Sequence, residues 1–417
     1  MKVVGLVLVA FLARVGMMVV LGLPPAFEPE PEWSWAYEQG AVAQAILRGD
    51  GYSDAFAAAT GATAWAGPIH PLFLAGAIYL AEGINRDAQI LVALLEALIS
   101  ALIILPLLSL GQGLGRPRLG LVAAILWALH PLAAYRCVSS PWDAPLVGLL
   151  LVSFLASLAH AGRGAGPRAL IKPGVLLGLV ALVNPAATAL LPAAVGFLIP
   201  GRTLGSMAGA LGALLGAALL VLSPWMIRNA LVLGSPALKM NLGVEMLVGN
   251  NGAVDGNFNP QLHPSYSAAE LRLYREMGER AYGAECMDRA QEWIVSHPRR
   301  FVALCVRRVQ LYWLGPSPFE PVRLSRGATQ VRDWKGWVKW GLHCGMGLLA
   351  LIGACIYRDK RGGAWLIGGT LVLYPFVYYV THVIERYRSP LEPLLTFAVA
   401  ALILSLIDRR LAARNSD

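Results

Sequence analysis

Residues 89–111 read QILVALLEALISALIILPLLSLG, a run of 23 residues whose one charged side chain is Glu96. As a helix this run would measure about 34 Å at 1.5 Å per residue, enough to cross a hydrocarbon core of about 30 Å. It has none of the in–out alternation of a barrel strand, and a backbone in lipid must satisfy its own hydrogen bonds, so helix is the form left to it. Similar apolar runs recur near 3–23, 119–137, 144–161, 173–184, 186–199, 204–224, 337–355, 363–381 and 389–406, with a further candidate at 69–84. A chain of 417 residues that is 57% hydrophobic and 14% charged is therefore read as an all-α polytopic membrane protein. Residues 3–23 show no Ala-x-Ala-like exit before Pro24 and Pro25, and are taken as a retained first span instead of a signal peptide.

The connections set the direction of the spans. Lys2, Arg116 and Arg118, Arg163, Arg168 and Lys172, Arg202, Arg358, Lys360 and Arg361, and Arg409, Arg410 and Arg414 are short basic stretches of the kind kept in the cytoplasm. They share one side if 69–84, which follows Pro68 and contains Pro71, is a re-entrant or surface-lying helix. The expectation is ten crossings with both termini cytoplasmic, and 24–88, 138–143, 225–336 and 382–388 on the outer face. One alternative stays open, that Asn184-Pro185 kinks a single longer helix over 173–199, which would change the parity. Three regions result: 1–224 with an acidic first outer loop, the insertion 225–336, and 337–417. The net charge of +9 is accounted for by this topology and by interfacial contacts; no nucleic-acid motif is present. Five cysteines without paired spacing imply no bridged framework, with Cys286 and Cys305 the one pairing left open.

The polar features gather on the outer side. The first loop carries Glu28, Glu30, Glu32, Glu38, Asp50 and Asp54. In the insertion, Ser267-Ala-Ala-Glu270 is a capping-box pattern that starts a helix running toward His297-Pro298. Arg299, Arg300, Arg307 and Arg308 then interleave with Phe301, Leu304, Cys305 and Leu311, a stretch expected to lie along the interface. A membrane enzyme acting on a lipid-linked phosphate needs cations at headgroup level, a groove for the tail and a carboxylate to accept a proton. Arg228, Arg386 and Arg388 are the candidate phosphate ligands, arginine being suited to phosphate by its rigid donor fork. His70, His130, His263, His297 and His382 show no H-x-x-x-H or comparable spacing, so no metal site is assigned. Two charges fall inside the spans, Arg14 about nine residues and Glu96 about seven from their outer ends; comparable depth suggests a structural pair, with Arg14 lining a polar cavity as the alternative.

The motifs WAYEQGAVAQAILRGDGYSD (35–54), TGATAWAGPIHPLFLAG, WALHPLAAYRCVSSPWD, GLVALVNPA, SPWMIRNALVLG, GVEMLVGNN, HPRRFVALCVRRVQLYW and RYRSPLEP succeed one another in this order. The series resembles bacterial glycosyltransferases of the GT-C fold, in particular the protein O-mannosyltransferases and the lipid A aminoarabinose transferases. The resemblance implies sugar transfer from a polyprenyl-phosphate donor to a protein, glycan or lipid acceptor on the outer face of a bacterial inner membrane. It also implies a first-loop carboxylate as base, for which Glu38, before Val42-Ala43 and Gly49-Asp50-Gly51, is the nearest match and Glu32 the rival. His70, Asp143 and Asn250 are further pocket candidates within the same motifs. Relatives often carry Asp nearer the span, and Pro-Pro and Tyr where this chain has Gly67-Pro68 and His70. Direct displacement would invert the anomeric carbon. No redox or group-carrier cofactor is implied, while a divalent metal stays open as a partner of the arginines. The alternative function is a transporter or flippase of a lipid-linked sugar, against which stand the lack of an internal repeat and the gathering of polar residues at one face.

Overall fold

The structure, a computed structural model, describes residues 3–22, 35–56, 59–316, 322–323, 329–330, 334–359 and 361–414. The chain opens with α1 (Val3–Val20), then α2 (Tyr37–Arg48) and α3 (Ile69–Leu80) on the first loop. Helix α4 (Arg86–Leu102) starts where the Asn85 side chain accepts from Ala88 N, and passes into α5 (Ile104–Gly113) as one 28-residue apolar rod. Pro117 opens α6 (Pro117–Ala128), and α7 (Pro131–Ser139) leaves it at a 53° bend. Next come α8 (Ala144–Ala161), α9 (Ile171–Val183), α10 (Leu190–Leu198) and α11 (Leu204–Leu233). The insertion holds α12 (Leu242–Gly249), α13 (Ala268–Met277), α14 (Glu279–Ser296) and α15 (Pro298–Leu314). A two-residue antiparallel pair, Val322–Arg323 with Thr329–Gln330, precedes α16 (Trp334–Ile356), α17 (Gly363–Leu373), α18 (Phe376–Val380) and α19 (Glu392–Arg414).

By length and apolarity seven helical segments among the described residues can cross a membrane, or eight if α6 and α7 count as one bent span. The ten expected crossings include two that fall short of this test, 173–184 and 186–199. They form a 13-residue and a nine-residue helix divided by a 3₁₀ turn, because Pro185 cannot continue the ladder of α9. Their path nevertheless runs out and back. Pro167 lies beside Gly209 at one end, Asn184 reaches Asp143 at the other, and Arg202 Nη2 returns to donate to Ala165 O at 2.6 Å. Helix α9 packs closely on α11 because Gly174 and Gly178, one turn apart, face it; a Cβ on Gly178 would sit 2.8 Å from Ala218 O.

The basic loops meet at one end of the bundle. Arg116 Nη2 donates to Arg358 O (3.5 Å), Arg361 Nη1 donates to Gly113 O (3.1 Å), and the Arg163 guanidinium lies beside Gly362. At the opposite end the first loop and the insertion form a cap. Its latch is Glu279, which accepts from Thr63 Oγ1, Ala64 N (2.8 Å) and Tyr274 Oη (2.7 Å), with burial raising its pKa. Ser267 caps α13 through Glu270 N (3.4 Å) as the capping box predicts, but the helix is interrupted at Gly278 (φ +76°) and resumes as α14. Arg308, expected along the interface, turns inward instead. Fully buried, it donates to Gly249 O, Asn250 Oδ1, Tyr379 O and Val380 O, tying α15 to the spans. All five cysteines are free, so the Cys286–Cys305 pairing is not formed.

The Arg14–Glu96 pair is also corrected. Arg14 is buried, but its Nε donates to Ser100 Oγ at 2.8 Å and its Nη atoms donate to Ala10 O (2.9 Å), Trp127 O and Ala128 O (both 3.3 Å). Pro131 breaks the ladder at the α6–α7 bend, so that Ala128 O, and Trp127 O beside its bond from His130 N, turn to the guanidinium. Glu96, one turn of α4 from Ser100, faces His70 Nε2 at 3.4 Å instead. Depth counted from the span ends gives the level of a side chain and not its neighbour.

Candidate active site

The site is built from loops that the helices bring to the capped end. Ala36 and Tyr37, both non-glycine, stand in succession at left-handed φ of 61° and 51°. Each such residue costs on the order of 1–2 kcal/mol, strain that surrounding packing must hold in place. The holding contact is visible: Tyr37 stacks on Trp142 with ring centroids 5.0 Å apart, and the Arg386 guanidinium lies 3.4 Å from the Trp142 centroid. Three outer loops are thereby joined, and α2 starts so that Glu38 falls in its first turn. Glu38 is half-buried, and its Oε1 accepts from Ser265 Oγ at 2.6 Å.

A polar cleft of about 130 Å³ opens around Glu38, lined among others by Asp143, Asn184, Lys239, Glu245 and Arg386. Burial raises the pKa of Asp143, opposed by Lys239, Arg386 and the Asn184 amide, which donates to Asp143 Oδ2 at 3.5 Å. Burial likewise raises Glu245, against the pull of His263 and Lys239. Behind it, His382 Nδ1 stands 3.5 Å from Glu245 Oε2, and His382 Nε2 is hydrogen-bonded to Tyr387 Oη at 2.9 Å. Burial first and the Arg308 charge second press the His382 pKa down to about 3, so the ring is neutral at ordinary pH. Among the described residues no three His, Cys, Asp or Glu side chains converge as a metal-holding set.

A second cavity, about 230 Å³, adjoins the first, and Trp142, Ala144 and Arg386 border both. Its wall is apolar at Ile103, Trp127 and Ala133, and charged at Arg136, Glu385, Arg386 and Glu392. Glu392 Oε1 receives Arg388 Nε (2.9 Å) and Arg136 Nη1 (3.4 Å), while Arg136 Nη2 lies 3.2 Å from His343 Nδ1. The lining carries two guanidiniums, Arg136 and Arg386, and two carboxylates, Glu385 and Glu392, the latter also neutralised from within by Arg388.

Glu38, Asp143 and Arg386 thus come together, with His70 directly behind the cleft. Arg388 does not join them. Wholly buried, it is committed to Glu392 and to Trp313 O (2.9 Å). Arg228 donates to Thr63 O and Tyr52 O (both 2.7 Å) and lies over the Tyr52 and Trp225 rings, so it braces the first loop and does not line the cleft. Asn250 is spent on Met246 O (2.8 Å), Val380 O (2.9 Å) and Arg308. Glu32 lies outside the described residues. Lys239, Glu245, Asn184 and Arg136 are site residues that the sequence does not single out. Asn184, a polar residue closing an apolar run before a proline, carries the one local signal.

Residues 66–227 match the model of the dolichyl-phosphate-mannose-protein mannosyltransferase family, a stretch that includes Asp143 and Asn184 but neither Glu38 nor Arg386. No curated protein matches the sequence. Among solved structures, the chain is similar to the archaeal oligosaccharyltransferase AglB from Archaeoglobus fulgidus in complex with an inhibitory peptide and a dolichol-phosphate. Identity is 12% and the TM-score 0.53, over 100% of this chain and 52% of that one. The Archaeoglobus fulgidus oligosaccharyltransferase tethered by a disulfide to an acceptor peptide containing the NVT sequon gives 13% identity and a TM-score of 0.53, over 100% and 51%. The complex of that enzyme with Zn and sulfate gives 13% and 0.50, over 97% and 49%. The chain spans about half the length of these structures. The solved structures show a fold of the GT-C type, and the family match covers less than half of the chain.

Proposed function

We propose that the protein transfers a sugar from a polyprenyl-phosphate donor to an acceptor hydroxyl at the membrane face opposite the basic loops. The observation that carries this reading is the junction at Arg386, which borders both the polar cleft of Glu38 and the apolar-walled groove. The lipid tail lies in the groove, the phosphate against Arg386 with Arg136 beyond it, and the sugar in the cleft. Glu38 already receives a hydroxyl from Ser265, so an acceptor hydroxyl entering beside Ser265 meets the same carboxylate. As its oxygen bonds to the anomeric carbon, its proton passes to Glu38 and the carbon–oxygen bond to phosphate breaks. The phosphate leaves with the electron pair, and Arg386 faces the charge that develops. A single displacement of this kind inverts the anomeric carbon. The basic loops at the other end favour a cytoplasmic place for that end, which supports a cleft on the exterior side of the plasma, or bacterial inner, membrane. The dolichol-phosphate bound in one archaeal neighbour supports a lipid-linked donor, and the acceptor peptide tethered in another favours a protein acceptor.

The test is label transfer from a radiolabelled polyprenyl-phosphate sugar by the purified protein in proteoliposomes. Glu38→Gln keeps the shape but cannot take the proton, so turnover should fall by about 10²–10⁴-fold with donor affinity retained. Donor carried across the bilayer intact, with no transfer, would establish a transporter instead.

A further inference from the structure

Gln39 stands next to the carboxylate assigned as base, and its amide is held from behind by a buried histidine that a buried carboxyl group backs. His70 Nδ1 is hydrogen-bonded to Gln39 Oε1, and His70 Nε2 faces Glu96 Oε1 at 3.4 Å. His70 on α3 and Glu96 on α4 are each 2% exposed, and nothing in the transfer step uses either.

Proton accounting fixes which end of the amide meets the cleft. With Glu96 protonated and His70 neutral, the carboxyl O–H donates to Nε2, the ring proton sits on Nδ1, and Gln39 Oε1 accepts it. With Glu96 ionised and His70 protonated, Nδ1 again donates to Gln39 Oε1. Two other states would reverse the amide: a bare carboxylate beside a neutral ring, which leaves an uncompensated charge buried among the spans, and a carboxyl protonated on Oε2, whose O–H would be left without a partner. The two states free of both penalties direct the Gln39 NH₂ group away from His70. Gln39 lines the cleft, and no described residue accepts from this NH₂. The two neighbours on α2 are also tethered to opposite sides. Glu38 is held by Ser265 of the insertion, whereas Gln39 is held by His70 of α3, which Glu96 of the α4 span backs.

We propose that Gln39 recognises the donor sugar, its NH₂ donating to one sugar hydroxyl, and that His70 and Glu96 are positioning residues that keep the amide so oriented. The proposal rests on the transferase reading above. A neutral donor suits a hydroxyl, and the tether to the spans sets it on the side from which a lipid-borne sugar arrives.

Binding to the full chain in nanodiscs is measured for bare polyprenyl phosphate and for polyprenyl-phosphate mannose, glucose and galactose, then for each monodeoxy analogue of the tightest hexose. In the wild-type protein, loss of one particular hydroxyl should weaken binding about ten-fold or more. In Gln39→Leu the parent sugar should lose a similar factor, and the penalty for deleting that hydroxyl should shrink to within about two-fold. Gln39→Glu, of the same shape but without the donor, and His70→Phe, which fills space without donating, should do the same. Bare polyprenyl phosphate should bind all four proteins alike, which also reports that each is folded. An unchanged deoxy pattern in the Gln39 variants, or full discrimination in His70→Phe, would overturn the corresponding assignment. A wild-type protein that binds none of the sugar-bearing lipids would sink the transferase reading itself, an outcome distinct from an unchanged pattern.

Discussion

Arg386 and Arg388 are two residues apart, yet one borders the cleft and the other is sealed in the bundle. The 3₁₀ turn Glu385–Leu391 turns each residue by about 120°, so the two side chains point a third of a turn apart. Sequence shows two arginines in RYRSP but not the register of a turn whose phase is set by Trp142 and Glu392, which is why it offers both as candidates. The consequence can be tested by contrast. Arg386→Ala should weaken donor binding by about ten-fold or more with a smaller loss of melting temperature than Arg388→Met, because its guanidinium meets the ligand and stacks on Trp142 but pairs with no buried charge among the described residues. Arg388→Met should do the reverse, lowering stability by about 3–5 kcal/mol by breaking a buried pair. Donor-binding isotherms and thermal melts of the two variants in detergent decide it; equal effects on binding would return Arg388 to the site. Arg14 teaches the same lesson, since a buried cation is legible from its place in an apolar run while its partners, Ser100 and two carbonyls at a bend, are not.

Elements are far more legible than partners. Lipid leaves the backbone one solution, so the apolar runs become helices almost where the sequence puts them, and the capping box at Ser267 begins α13 as read. Two kinds of boundary resist. Asn184-Pro185 reads as a break, but whether the chain turns back there depends on Arg202 meeting Ala165, a contact 37 residues apart. The interruption at Gly278 escapes a reading of the sequence because glycine is tolerated within a helix until its φ turns positive. The resulting start of α14 puts Glu279 where it latches the first loop. Glu279→Ala would strand the donors of Thr63, Ala64 and Tyr274, at a cost of about 3 kcal/mol or more. It should also loosen residues 52–66, the segment under Glu38. Limited proteolysis of that segment, with a thermal melt alongside, checks this, and an unchanged digestion pattern would show that the cap is held by other contacts.

At the scale of the molecule, the two ends differ in charge and in task. Short basic loops converge at one end, and a cleft with three carboxylates and two cations opens at the other. In a cysteine-free background, Arg116→Cys and Gly164→Cys should react with an impermeant thiol reagent only from the cytoplasmic side, and Asp50→Cys and Glu276→Cys only from outside. Reaction of positions 116 and 50 from the same side would refute the orientation proposed for the cleft.

In the proposed reaction the guanidiniums of Arg386 and Arg136 along the groove also act after the sugar has left. A sugar-bearing polyprenyl phosphate is a phosphodiester with a single negative charge, whereas the lipid remaining after transfer is a monoester carrying about −1.5 to −2. Arg386 and Arg136, set against the phosphate in the proposed reaction, therefore hold the spent carrier more tightly than the fresh one. Turnover on the proposed reaction is then paced by carrier departure, and bare polyprenyl phosphate should act as a competitive product inhibitor that Arg136→Gln relieves. In the membrane, the enzyme's working rate would depend on how fast spent carrier is withdrawn from its surroundings.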